Sequence, residues 1–188
     1  MAQTIKIFIS SSIKFGDLRD SIRLFFDSKN KIYANRIFFE TIVCEDFDNH
    51  IAGGSQKKYN DAILGCNYML LFYSNRVGIY TREEFAVSAA KKIKTYIYKL
   101  PDDFSKDSIA DADSIKQFDT ILSGLQYFQE FAQNVDQLLN KFYHTIESNV
   151  ISTLVATPVL TEQFFLSKKL YRINRLEPIT NFNSNLTN

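Results

Sequence analysis

Cysteine and histidine are scarce in this 188-residue chain, with two of each. Cys44 and Cys66 form no C-x-x-C, and the histidines, His50 and His144, stand apart from them. That argues against a disulfide framework or a zinc site, so metal-dependent chemistry is not expected. A surplus of one charge is also missing. Lys and Arg number 22 against 21 Asp and Glu, a net +1, which removes the cationic excess that nucleic acid or an anionic membrane would need. No run approaches the roughly 20 apolar residues of a membrane helix, and the opening MAQTIKIFIS lacks the pattern of a signal peptide. A cytoplasmic protein is expected, with neither nucleic acid nor membrane as partner. The six glycines fall into no G-x-G-x-x-G or Walker pattern, so Gly53 and Gly54 do not make a phosphate loop. What is present, 45% hydrophobic and 23% charged residues, suffices to bury the core of an ordinary globular domain.

The hydrophobic pattern alternates between strand and helix. Ile5 to Ile9 (IKIFI) reads as a strand stopped by Ser10, Ser11 and Ser12. Leu18, Ile22, Phe25 and Phe26 then make a helix stripe behind Asp17, a plausible N-cap. A second strand, Ile37 to Cys44, runs into a polar loop holding Glu45, Asp46 and Asp48, and a short helix is predicted over Gln56 to Gly65. Tyr68 to Tyr73 (YMLLFY) is apolar at nearly every position, the pattern of a central parallel strand covered on both faces. Phe85, Ala89 and Ile93 give a third helix, and Thr95 to Leu100 a fourth strand ended by Pro101. Residues 102–123 are acidic and read as a solvated connector with a weak helix. Leu125 to Phe131 is a candidate fifth strand. Val135, Leu138, Leu139, Phe142 and Ile146 make a closing helix behind Asn134. This order predicts an α/β, flavodoxin-like three-layer sandwich around a parallel sheet of about five strands. The expected organisation is a domain over 1–149 and a C-terminal tail or linker over 150–188. That tail holds a possible docking helix, in which Lys168, Lys169, Arg172 and Arg175 lie beside Phe164, Phe165, Leu166 and Leu170.

Ligands of open parallel sheets bind beyond the carboxyl ends of the strands. That directs attention to Ser10, Ser11 and Ser12 after the first strand, to Glu45, Asp46 and Asp48 after the second, and to Ser74 and Asn75 after the third. Glu83 and Glu84 follow at the start of the third helix. Each also has an ordinary structural explanation. A serine triplet ends strands and caps helices, and Thr81 with Glu84 spells the T-x-x-E of a capping box. His50 and His144 read as surface or helix-face residues, and the 17 Phe and 10 Tyr as mostly core. On spacing alone the function stays open.

Four signals, in this order, resemble a TIR (Toll/interleukin-1 receptor) domain over about residues 4–148. They are I-K-I-F-I-S-S-S, the acidic loop V-C-E-D-F-D-N-H-I-A-G-G-S, L-L-F-Y-S, and Y-T-R-E-E-F-A-V-S-A-A. The resemblance is to the bacterial type with an F-I-S-S-S/T opening. It implies an NAD⁺ nucleosidase, a signalling or anti-phage defence effector activated by self-association, with NAD⁺ as substrate and no cofactor, and with an adjoining sensor domain or a partner reached through the tail. It also implies site residues. Glu84, or Glu83 if the match slips by one, would be the catalytic carboxylate. Ser10, Ser11 and Ser74 would lie near the dinucleotide, Asp46 would be the acidic residue after the second strand, and the loop through Gly54 would be the segment through which such domains pack. The chain departs from the family in having no tryptophan ahead of the glutamate; Tyr80 stands there and could supply a stacking face. Breaking an N-glycosidic bond builds oxocarbenium character on the ribose, which a carboxylate stabilises or traps, while nicotinamide leaves as a neutral molecule without an acid. A non-catalytic TIR module and a nucleoside deoxyribosyltransferase-like enzyme are the alternatives.

Overall fold

The computed structural model describes residues 2–33, 36–47, 55–104 and 110–155. Asp48, His50, Gly53, Gly54 and the expected docking helix of the tail, with Lys168, Lys169, Arg172 and Arg175, lie outside the described residues. The chain divides into a unit over 1–142 and a second from Tyr143 onward.

In the first unit, five parallel strands, β1 (Gln3–Ser10), β2 (Ile37–Ile42), β3 (Tyr68–Tyr73), β4 (Lys94–Lys99) and β5 (Gln129–Phe131), lie in the order β2-β1-β3-β4-β5. Helices α1 (Gly16–Tyr33), α2 (Ser55–Leu64), α3 (Ile79–Ala90) and α4 (Ala112–Gly124) connect them, and α5 (Val135–Val155) begins after β5. This is the flavodoxin-like arrangement, whose strand order reverses between β1 and β3. Every residue of β3 is buried, as its unbroken apolar run requires. One face of the sheet packs Phe8, Met69, Leu71 and Ile97 against Ile63 of α2, Phe85 of α3, and Phe118 and Leu122 of α4. On the other face the Phe26 ring of α1 meets Phe39 at 5.3 Å and Phe142 at 6.1 Å, and Phe15 meets Phe72 at 5.6 Å.

Several boundaries differ from the sequence pattern, each for a local reason. Asp17 is not the cap of α1: a 3-10 turn over Ile13–Phe15 precedes the helix, and the Ser12 hydroxyl accepts from the Lys14 N–H to cap that turn. β2 stops at Ile42 because the Asp46 carboxylate accepts the Val43 N–H at 3.0 Å and folds Cys44–Asp46 into a 3-10 turn. The acidic stretch after Pro101 is not merely a solvated connector. Asp111 caps α4 by accepting from the Ser114 N–H at 2.9 Å, and the stripe of Ser114, Phe118 and Leu122 is buried. α4 therefore takes Leu125 as its C-cap and leaves only Gln129–Phe131 for β5. α3 ends at Ala90 rather than reaching Ile93, and Lys92 closes it with φ 55°, the left-handed turn that ends many helices.

Candidate active site

The strand order reverses between β1 and β3, so the loops that follow these strands diverge and leave a crevice at their carboxyl ends. A cleft of about 640 Å³ occupies that position. One wall is the turn after β1, with Ser11, Ser12 and Lys14. The opposite wall is the start of α3, with Gly78, Ile79, Tyr80 and Thr81. Cys44, Gln56 and Tyr59 line it from the β2–α2 side, Arg76 stands beside it, and Glu84 reaches it from α3.

Glu84 is 6% exposed. Its position follows from its neighbour. Phe85 is fully buried, with its ring edge-on to Phe118 at 5.3 Å and to Tyr127 at 5.1 Å, which fixes the rotation of α3 and turns Glu84 toward β1. There the Ser10 hydroxyl donates to Glu84 Oε2 at 2.5 Å. Burial pushes the Glu84 carboxyl up to about 7, against the opposing hydrogen bonds from Ser10 and Gln56; the neighbouring Glu83 adds to the rise and Arg19 opposes it. Glu84 is therefore no capping residue. The helix begins three residues before Thr81, at the N-cap Gly78, no side chain caps it, and both Thr81 and Glu84 are buried. Glu83 is exposed, and its Oε1 accepts from Asn60 Nδ2 at 2.8 Å.

Cys44 also lines the cleft. Its thiol is pushed up to about 12, first by burial and further by its hydrogen bond to Glu45, so it stays protonated.

The remaining expected residues divide into those at the cleft and those tied elsewhere. Ser11 and Tyr80 line the cleft, and Tyr80, 60% exposed, presents a ring at its rim. Ser10 sits behind Glu84. Ser74 is buried and donates to the Pro101 carbonyl at 2.6 Å, and the Asn75 carbonyl accepts the Asp111 N–H at 3.0 Å, so both hold loops together. Asp46 caps its own turn and pairs with Arg23 at 2.9 Å. Neither Ser74 nor Asp46 lines the cleft.

Sequence reasoning missed Arg19, which looks like one more polar residue on an amphipathic helix. Its side chain is 1% exposed and binds both loops that frame the cleft. Nη1 donates to Ser11 Oγ at 2.7 Å and to the Ser12 carbonyl at 2.6 Å, Nη2 donates to the Ile13 carbonyl at 3.0 Å, and Nε donates to both oxygens of Glu45. Burial works against the ionised Glu45, but the hydrogen bonds from Arg19 and Cys44 prevail and hold its carboxyl below the usual range. Gln56 and Lys14 were missed as well. No local pattern marks them, since their place depends on the two loops meeting. Among the described residues no group of His, Cys, Asp and Glu could hold a metal ion, and no helix is long and apolar enough to cross a membrane.

No family model matches the chain, and no curated protein does. Among solved structures it is similar to a CMP N-glycosidase of Clostridium botulinum (16% identity over 73% of this chain and 97% of that one, TM-score 0.46). It is also similar to a 2-desoxiribosyltransferase from Leishmania mexicana (17% identity, 50% of this chain and 64% of that one, TM-score 0.36). A third likeness is to a flavodoxin-like domain from Synechococcus (10% identity, 72% and 91%, TM-score 0.38).

Proposed function

We propose that the chain is an N-glycosidase acting on NAD⁺, with Glu84 as the carboxylate that meets C1′ of the nicotinamide ribose. The observation that carries this reading is a buried carboxylate held by Ser10 at the base of a cleft at the β1/β3 crossover. In the reaction the bond between C1′ and the nicotinamide nitrogen breaks, and its electron pair returns to the ring, which departs neutral. Glu84 stabilises the cationic sugar or bonds to C1′, and water then takes its place. Tyr80 and Tyr59 offer aromatic faces for the ring and the adenine, and Lys14 and Arg76 offer positive charge for the pyrophosphate. The signalling or defence role, and activation by self-association, belong to the same reading.

The test is incubation of the purified chain with NAD⁺ and, separately, with a pair of deoxynucleosides and free bases, followed by chromatography. Release of nicotinamide supports the reading. Base exchange with NAD⁺ left intact would reassign the chain as a deoxyribosyltransferase. No product in either arm from folded protein, at low and high concentration, would leave a non-catalytic assembly module. Activation by assembly is checked by specific activity, which should rise with protein concentration.

A further inference from the structure

The three consecutive serines after β1 have three different partners. Ser10 donates to Glu84, and the Ser12 hydroxyl accepts the Lys14 N–H that caps the turn. Ser11 accepts instead: Arg19 Nη1 donates to its Oγ at 2.7 Å. Its own proton meets one acceptor among the described residues, the Ser12 carbonyl at 3.4 Å, beyond the roughly 2.5–3.0 Å of an O–H···O bond. That carbonyl has no lone pair to spare, since Arg19 Nη1 reaches it at 2.6 Å and the Phe15 N–H at 3.0 Å. Ser11 lines the cleft, so its hydroxyl stands there with the acceptor side taken and the proton unspent.

Arg19 takes that acceptor side, and it is itself closed to a ligand. A guanidinium carries five N–H groups. Nε meets both oxygens of Glu45, Nη1 meets Ser11 and Ser12, and Nη2 meets the Ile13 carbonyl and Glu45, so all five are engaged. The side chain is 1% exposed and, unlike Lys14 and Arg76, does not line the cleft. We propose that Arg19 is a positioning residue acting through Ser11: it holds the Ser11 oxygen as an acceptor, which commits the Ser11 proton to an oxygen of the ligand in the cleft. A phosphate oxygen suits this hydroxyl best, because it only accepts, and Lys14 on the same wall brings the matching charge. This rests on the reading of the cleft as a site for NAD⁺, whose pyrophosphate supplies such oxygens. Glu45 fixes the plane of the guanidinium by accepting from Nε and Nη2.

The experiment is a double-mutant cycle of Ser11→Ala, Arg19→Lys and the two combined. Lysine keeps the charge beside Glu45 but lacks the planar fork that reaches Ser11, Ser12 and Ile13 together. The kcat and KM for NAD⁺ are measured, and calorimetry gives the Kd of ADP-ribose, which carries the pyrophosphate without the scissile bond, and of adenosine, which carries no phosphate. Ser11→Ala should raise KM and the ADP-ribose Kd about tenfold, the loss of one hydrogen bond to a charged group, and lower kcat far less. Adenosine should bind the variant and wild type alike. Arg19→Lys should weaken ADP-ribose binding severalfold, and the combined variant should bind no more weakly than Ser11→Ala, because Arg19 acts through that hydroxyl. A merely structural Arg19 would multiply its effect onto that of Ser11→Ala, and this result would overturn the proposal. An unchanged ADP-ribose Kd in Ser11→Ala would overturn it too, whether or not Arg19→Lys folds, as would an equal loss for adenosine or a folded wild type that binds no ADP-ribose. Coupled Kd values in a protein that cleaves no NAD⁺ would instead refute the enzyme reading and leave the pairing of Arg19 with Ser11 standing.

Discussion

Glu84→Gln separates stability from activity in a way that depends on pH. The folded protein raises this carboxyl from 4.5 to about 7, so between those values the native chain keeps a proton that the unfolded chain releases. Native stability therefore falls as pH climbs through this window, and above about 7 the full penalty of a buried ionised carboxylate is present. The shift corresponds to about 3 kcal/mol at 1.36 kcal/mol per pH unit. Glutamine keeps the volume and can still accept from Ser10, but it never ionises. At pH 5 the two proteins should have similar stability, because Glu84 is protonated there. At pH 8.5 the variant should be more stable by about 3 kcal/mol, while NAD⁺ cleavage falls by roughly 10²-fold or more. Urea denaturation at a series of pH values reads the difference, provided the slope with denaturant is the same for both proteins. A stability difference that is flat from pH 5 to 8.5 would refute the claim that the fold strains this carboxylate, whatever the activity does.

The other expectations follow from the same geometry. The kcat/KM of wild type for NAD⁺ should rise with pH through about 7 as Glu84 ionises, and a profile flat across that range would remove Glu84 as nucleophile. Glu83→Gln should keep kcat/KM close to wild type, since the exposed Glu83 makes its contact with Asn60 and its amide replacement can still accept; a dead Glu83→Gln beside an active Glu84→Gln would reverse the assignment. Phe85→Ala should cost about 3–5 kcal/mol by thermal or chemical denaturation, because it empties a fully buried site between two aromatic rings, and a loss under 1 kcal/mol would mean the α3–α4 packing is not what orients Glu84. Arg19→Leu should destabilise by about 3 kcal/mol, leaving the carbonyls of Ser12 and Ile13 without this donor; an unaltered melting temperature would show that the two loops frame the cleft without it.

Much of the fold was legible in the sequence because secondary structure is written in short-range periodicity. The continuous apolar run of β3, the IKIFI of β1 and the stripe of α1 each report locally which side of an element avoids water, and their alternation leaves few topologies other than a parallel sheet with helices on both faces. The same local logic failed where a residue's partner is far along the chain. Residues 102–123 carry enough aspartate to read as solvated, yet the buried face of α4 needs only Ser114, Phe118 and Leu122 to complete the layer over Tyr73 and Phe85.

The resemblance to a known domain pointed at Glu84 and Ser10, but the residues around Glu84 also spelled a capping box, and nothing within four positions separates the two readings. Tertiary structure decided between them, because the hydroxyl that meets Glu84 lies 74 positions away, on a strand that reaches it only once β1 and β3 pair. Arg19 became visible for the same reason, since its partners lie on loops that only the fold brings together. The sequence by itself determined the order of strands and helices and which residues prefer the interior. Which charged groups are forced into that interior, and what each must then bond to, depends on desolvation where separate elements meet, and only the assembled fold brings those elements together.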